Sequence, residues 1–193
     1  MSGDILGIHH ITAIVGDPKT NIGFYAGVLG LRLVKKTVNY DDPETYHLYY
    51  GDERGAPGTI VSFFPWTSQA PKGRAGPGQV VSIAFAAPRG SLEYWLSRLR
   101  QAGFHPEGPS RLFEESYIGF SDPDGLSLQI VAFEDPRRTS AFASAVPPEY
   151  AIRGIHHAGI CVSDPRPTVD FLTSVLGLRL KNESRERMRF AAE

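Results

Sequence analysis

One stretch occurs twice, and that repetition constrains the fold more than any other feature of the chain. Residues 7–33 read GIHHITAIVGDPKTNIGFYAGVLGLRL, and residues 154–180 read GIHHAGICVSDPRPTVDFLTSVLGLRL. Aligned without a gap, about half of the positions are identical. Self-similarity of this kind means that one supersecondary unit is built more than once. Each copy opens with an apolar strand carrying a His pair. Asp17-Pro18 and Asp164-Pro165 follow, each as an N-cap and a first helical residue whose missing N–H costs nothing. Gly30 and Gly177 then end the helices, and a second strand begins after each.

The opening strand spans Gly7 to Val15, and successive side chains of a strand face opposite sides. His9, Ile11, Ala13 and Val15 make a mainly apolar face suited to packing under a helix. Ile8, His10, Thr12 and Ile14 make the other, so His10 rather than His9 is the cleft candidate. His157, opposite His156 by the same alternation, repeats that placement. The helix from Pro18 to Leu29 presents Ile22, Tyr25, Val28 and Leu29 as its buried stripe. Strands over Leu31–Val38, Thr45–Tyr50 and Thr59–Trp66 complete a β-α-β-β-β module.

A second module follows: a strand over Val80–Ala87, then a helix capped by Ser91 and ended by Gly103. That helix has Leu92, Trp95, Leu96 and Leu99 on one face. Three strands come next, near Arg111–Phe113, Ser116–Phe120 and Leu126–Phe133, with an Asp122-Pro123-Asp124-Gly125 turn before the last. A third module opens at residue 154 and runs only to about Phe190. The organisation expected is a first domain over 1–135 (modules 7–66 and 79–135), a linker over 136–153, and an incomplete second domain over 154–193. The apolar stripe Val169, Leu172, Val175 and Leu176 of the third module's helix is expected to find burial by docking on module two.

The net charge of -1 argues against a nucleic-acid footprint. No apolar run approaches membrane-spanning length. A single cysteine, Cys161, excludes an intramolecular disulfide and suits a small buried hydrophobe in a cytoplasmic protein. The Asp122–Gly125 run lacks the further acids of a calcium loop and reads as a turn. In TYHLYYGD, His47 and Tyr49 share a face and could supply a proton donor or a substrate hydrogen bond. Phe63, Phe64 and Trp66 read as core or pocket wall.

A His-bearing strand, Asp-Pro, FYAGVLGLRL and a closing DPDGLSLQI strand together resemble the vicinal oxygen chelate superfamily of glyoxalase I, extradiol dioxygenases and resistance proteins. The longer run from GIHHITAIVGDP to GTIVSFFPW resembles the ring-cleaving dioxygenases that act on hydroquinone-type substrates. The resemblance implies an α+β fold of paired β-α-β-β-β modules forming a cupped mixed sheet, with the third module truncated. It implies a divalent metal, Fe(II) first, with Mn, Zn or Ni as alternatives. The ligands it implies are two His and one Glu, and His10 and His157 stand at the opening-strand positions. Ser82 and Gln129 occupy the other two positions in module two, where neither is a good donor for Fe(II) or Mn(II). Members of this subfamily have four modules. A crossed pairing, of modules two and three and of module one with a fourth, would account for these departures. The implied partners are a small aromatic substrate and O₂, with no nucleic acid, no membrane, and a homodimer as one way to complete the site. The chain then reads as a fragment or short form of a metal-dependent ring-cleaving dioxygenase, with His47 and Tyr49 as proton-moving residues and weak activity in isolation. A glyoxalase-type isomerase and a metal-free small-molecule-binding protein are the alternatives.

Overall fold

The computed structural model describes residues 5–66, 73–134 and 144–192. Module one holds β1 (His10–Val15), α1 (Pro18–Ile22), β2 (Arg32–Val38), β3 (Tyr46–Gly51) and β4 (Ile60–Pro65). Its sheet has the order β1-β4-β3-β2, with β1 parallel to β4 and the other pairs antiparallel. Module two repeats the plan with β5 (Gln79–Ala87), α2 (Leu92–Gln101), β6 (Glu107–Leu112), β7 (Glu115–Ser121) and β8 (Ser127–Ala132). Its strands run β6-β7-β8-β5, again with the first and last strands of the module parallel.

Module three contributes β9 (Gly154–Cys161), α3 (Pro165–Asp170), β10 (Arg179–Glu183) and β11 (Met188–Ala191). β9 pairs antiparallel with β5, so the opening strands of modules two and three lie side by side in one five-stranded sheet. β10 and β11 form a separate hairpin. An apposed Gly159 makes this pairing close: a Cβ there would collide with the Ser82 hydroxyl.

The helix termini follow from sequence chemistry. Asp17 accepts from Thr20 N–H at 2.7 Å, and Asp164 accepts from Arg166 N–H at 3.1 Å. Both helices then widen into π-type turns, over Gly23–Val28 and Phe171–Val175. Leu29 N–H reaches Phe24 O at 2.9 Å, and Leu176 N–H reaches Phe171 O at 3.1 Å, each five residues back. Gly30 and Gly177, at φ 70° and 66°, turn the chain out of the helix. A 3.6-residue period misses this widening, which brings Phe24 as well as Tyr25 into the core.

The first helix, α1 with its π-type continuation over Gly23–Val28, is the layer shared by both sheets. Tyr25 packs on Phe63 and Tyr50 of module one, with ring centroids 4.4 Å and 5.5 Å apart. Phe24 meets Phe104 at 4.8 Å and Phe120 at 6.4 Å in module two. Arg98 of α2 donates to the last carbonyls of the first helix, Val28 O at 2.7 Å and Gly27 O at 2.8 Å. The connecting residues described are packed as well. Val146 and Ala151 are buried, Tyr150 stacks on Tyr94, and Trp95 Nε1–H donates to Tyr150 O at 2.9 Å.

Two expectations need correction. Ser91 begins α2 but does not cap it: its hydroxyl is buried with no partner, because the residue adopts helical φ/ψ. The stripe on α3 is not buried either. β9 docks through its backbone, yet no residue of that helix is buried, and Val175 is 68 % exposed.

The Tyr25 hydroxyl donates to buried Asp122 Oδ2 at 2.9 Å. Tyr25→Phe removes one donor from a desolvated carboxylate, and we expect a loss of about 1–3 kcal/mol in urea unfolding.

Candidate functional site

One sheet face is built by module one, on the side away from α1. Register puts His10, Thr12 and Ile14 of β1 beside Ile60, Ser62 and Phe64 of β4. Tyr49 of β3 lies beside Ser62, and Lys35 and Thr37 of β2 lie beside Tyr49 and His47. The opposite residues Ile11, Ala13 and Val15 pack on the core, as the alternation requires. His9 departs from it: it is exposed, and its Nδ1 lies 3.1 Å from His10 Nδ1. β1 begins only at His10, so the strand alternation does not reach His9.

His47 is the best-defined polar group on this face. Its ring lies between those of Tyr49 and Phe64, with centroids at 4.0 Å and 3.8 Å. Its Nδ1 is 2.8 Å from the Tyr49 hydroxyl, and its Nε2 is buried without a partner. Burial pushes this imidazole below its ordinary range, and nearby His10 and Lys35 push the same way. His47 is therefore neutral near pH 7. The Lys35 ammonium stands 5.8 Å from the Tyr49 ring centre. Thr12 and Ser62 share a hydroxyl–hydroxyl bond of 2.8 Å. Ile14, at 58 % exposed, adds open apolar surface beside these groups.

The second face belongs to modules two and three. One row across it reads His157, Ala84, Gln129 and Gly119, and the next reads Gly159, Ser82, Ser127 and Ser121. His157 thus shares a face with Ser82 and Gln129. The strict alternation that set His156 opposite His157 fails here. A register shift between Ala84 and Phe85 leaves His156 as an extra residue in β9, and a bulge turns its side chain. The two Nδ1 atoms meet at 2.7 Å, and His156 Nε2 lies 3.2 Å from Glu115 Oε1. Arg189 of β11 reaches the other Glu115 oxygen at 2.7 Å, off the hydrogen-bonding axis, as a charge contact. Glu115 and Arg189 carried no sequence signal, because their meeting depends on how the module-three hairpin lies against β7.

His10 and His157 lie on different faces, and His47 and Tyr49 accompany His10. No three His, Cys, Asp or Glu side chains converge as metal ligands among the described residues. His10 has hydroxyls near it, and His157 has a hydroxyl and an amide. Neither set, taken from the described residues alone, fits Fe(II) or Mn(II), which favour imidazole with carboxylate. No described helix is long and apolar enough to cross a membrane.

The sequence profile of the Glyoxalase/Bleomycin resistance protein/Dioxygenase superfamily matches residues 7–130. The chain is 44% identical over 190 residues to a Bacillus subtilis (strain 168) protein named "Putative ring-cleaving dioxygenase MhqO", covering 98% of this chain and 60% of that one. It is 30% identical over 188 residues to a chlorohydroquinone/hydroquinone 1,2-dioxygenase of Sphingobium indicum, covering 96% of this chain and 59% of the relative. A crystal structure titled as a putative dioxygenase from Bacillus subtilis superposes with a TM-score of 0.90 at 46% identity, covering 97% of this chain and 60% of that one. The chain therefore spans about 60% of the length of these relatives.

His157 supplies a pH test. Burial, with His156, Arg189 and Arg187 adding, pushes it down to about 3. Unfolded, it titrates near 6.5. Between these values the unfolded chain binds the proton and the folded chain does not, so stability is full above the higher value and falls on acidification. This group's contribution to the slope is at most about 1.4 kcal/mol per pH unit. Urea unfolding from pH 7 to 4 should show that slope, and His157→Gln should flatten it.

Proposed function

The chain belongs to the Glyoxalase/Bleomycin resistance protein/Dioxygenase superfamily, and from that premise we propose that it carries the substrate-binding half of a ring-cleaving dioxygenase for hydroxylated aromatics. The observation that carries this reading is the His47–Tyr49 pair on the same open face as His10. The names of the relatives support the reaction class. Such a reaction would draw on a divalent metal, Fe(II) in this proposal, which would supply a common centre for a phenolic oxygen and O₂. His10 would be this chain's contribution to that metal. The remaining ligands come from outside the described residues, in a longer parent protein or a second chain.

This chain's own residues bind the ring and handle its proton. Ile14 and Phe64 give the flat apolar wall that an aromatic ring needs, and the Tyr49 hydroxyl meets the substrate hydroxyl. Neutral His47 accepts through Nδ1, so a proton leaving the substrate passes to Tyr49 oxygen as the Tyr49 proton moves to His47 Nδ1. Sandwiching between Tyr49 and Phe64 holds the imidazole in place for that transfer.

The uncovered surfaces agree with a site completed from elsewhere. Ile14 on the His10 face is 58 % exposed, and Phe171 and Val175 on module three are 52 % and 68 % exposed. Burying each such side chain would contribute roughly 1.5–3 kcal/mol.

The isolated chain should bind Fe(II) weakly in anaerobic dialysis and consume little O₂ with hydroquinone. Joined to the remaining 40% or so of the Bacillus subtilis relative and loaded with iron, it should consume O₂. His10→Ala should abolish that uptake, and His47→Phe should lower kcat by about 10²–10⁴-fold. Tight stoichiometric iron in the isolated chain, or uptake indifferent to His10, would overturn the proposal.

A further inference from the structure

We propose that Lys35 makes the module-one face selective for hydroxylated aromatics that also carry a ring carboxylate. The proposal rests on the reading of that face as the place where the ring binds, and it names the kind of ring.

The face is divided into two rows of unlike chemistry. Across the strands, one row reads Lys35, Tyr49, Ser62 and Thr12, and the next reads Thr37, His47, Phe64 and Ile14. The first row is polar from end to end. The second is largely apolar, with the His47 ring centre 3.8 Å from that of Phe64 and Ile14 open to solvent. Two residues along a strand separate the rows, about 6.5–7 Å. A flat ring lying on the second row therefore puts its substituents over the first.

The polar row holds a cation and no anion. Lys35 is exposed on the edge strand β2, yet its ammonium lies 5.8 Å from the Tyr49 ring centre, which keeps it over the row. No Asp or Glu stands within ion-pair distance of Lys35 among the described residues, and neither row contains one. A neutral donor lies in the same row. Thr12 and Ser62 share one hydroxyl–hydroxyl bond of 2.8 Å, which uses one of their two O–H hydrogens. Whichever of them donates, the other O–H is left for a third partner.

An unpaired ammonium and a spare O–H in one row ask for an acceptor that brings negative charge. An ordinary phenol titrates near 10 and is neutral at pH 7, so a carboxylate is the ring substituent that supplies the charge. Lys35 and Tyr49 are on neighbouring strands, about 4.8 Å apart. The carboxylate drawn to Lys35 and the hydroxyl that meets Tyr49 therefore belong ortho or meta to each other. Lys36 provides an internal comparison. It pairs with buried Leu48, on the other side of β2, and its ammonium lies 4.1 Å from the Tyr46 ring centre.

The test is an NMR titration of the chelator-treated chain, so that no metal competes for the carboxylate. Backbone amides of β2 and β3 are followed with 3-hydroxybenzoate and with its uncharged isostere 3-hydroxybenzamide. The carboxylate should bind at least about threefold more tightly than the amide, and added salt should narrow the difference. Lys35→Gln should remove the preference, Lys35→Arg should keep it, and Lys36→Gln should leave it unchanged. The same spectra confirm that each variant is folded. Equal binding of the two probes, no binding of either, or a preference that survives Lys35→Gln would overturn the proposal. The titration reads binding without turnover, so O₂ uptake with hydroquinone would stand if the preference failed, and the preference would stand if uptake failed.

Discussion

The arrangement of the two faces depends on one buried carboxylate. Asp122 closes the turn before β8, accepting from Asp124 N–H at 2.9 Å and Leu126 N–H at 2.8 Å. It also accepts from the Tyr25 hydroxyl of the other module at 2.9 Å. Burial pushes this carboxyl up, and the hydrogen bonds oppose that shift without cancelling it. Such a group is retained at a cost, and here it joins a turn to a helix. Its neighbour Asp124 accepts from Gly16 N–H at 2.9 Å, pinning the end of β1. α1 thus takes a fixed position relative to both sheets, and the direction in which the His10 face opens follows from it. Module one uses the first part of the device alone. Asp52 accepts from Arg54 N–H at 3.0 Å and Ala56 N–H at 2.9 Å, closing its own turn without reaching another module.

Much of this was legible in the residues because it rests on local chemistry. Asp-Pro gives an N-cap and a first helical residue, and Gly at the exit tolerates the positive φ. Strand alternation correctly separates His10 from Ile11, Ala13 and Val15. The parts that were not legible depend on what another segment does. His9 lies outside the strand that the alternation assumed. His156 changes sides because β9 must fit one extra residue against β5, and nothing within GIHHAGIC announces a bulge. Glu115 sits among strand residues of no special pattern and becomes a partner only once β9 and β11 approach it. Ser91 has the side chain of a cap, but its helical φ/ψ leaves the buried hydroxyl without a donor.

The two faces share a scaffold and differ in their polar chemistry. Module one pairs an exposed imidazole with a hydroxyl pair, a sandwiched imidazole and a phenol, on a face whose edge strand β1 has no second neighbour among the described strands. Modules two and three pair an oriented imidazole with an orphan amide oxygen, on a face where β5 has β9 beside it. The same opening-strand position is His10 in one, Ser82 in another and His157 in the third. An imidazole at this position can serve as a ligand or as an acceptor, and its neighbours decide which. Beside His157 the neighbours are His156 and, through it, Glu115, whereas His10 meets His9 at 3.1 Å.

This difference shows how one repeated scaffold can carry two unlike polar faces. The backbone pairing between β5 and β9 needs only a small residue at Gly159 opposite Ser82, and imposes nothing on the chemistry of the rest of the row. What cannot change freely is the core side of each strand, where Ile83 and Phe85 alternate with Ser82 and Ala84 and are buried to within 1 %. Losing a hydrogen bond on an open cup position such as Ser127 costs about 1 kcal/mol. Substitution on the core side leaves a cavity costing about 2–5 kcal/mol. The scaffold is thus held by one set of residues and the chemistry by the other. A module with Ser82 and Gln129 in that row keeps its place in the sheet through β5 and β9.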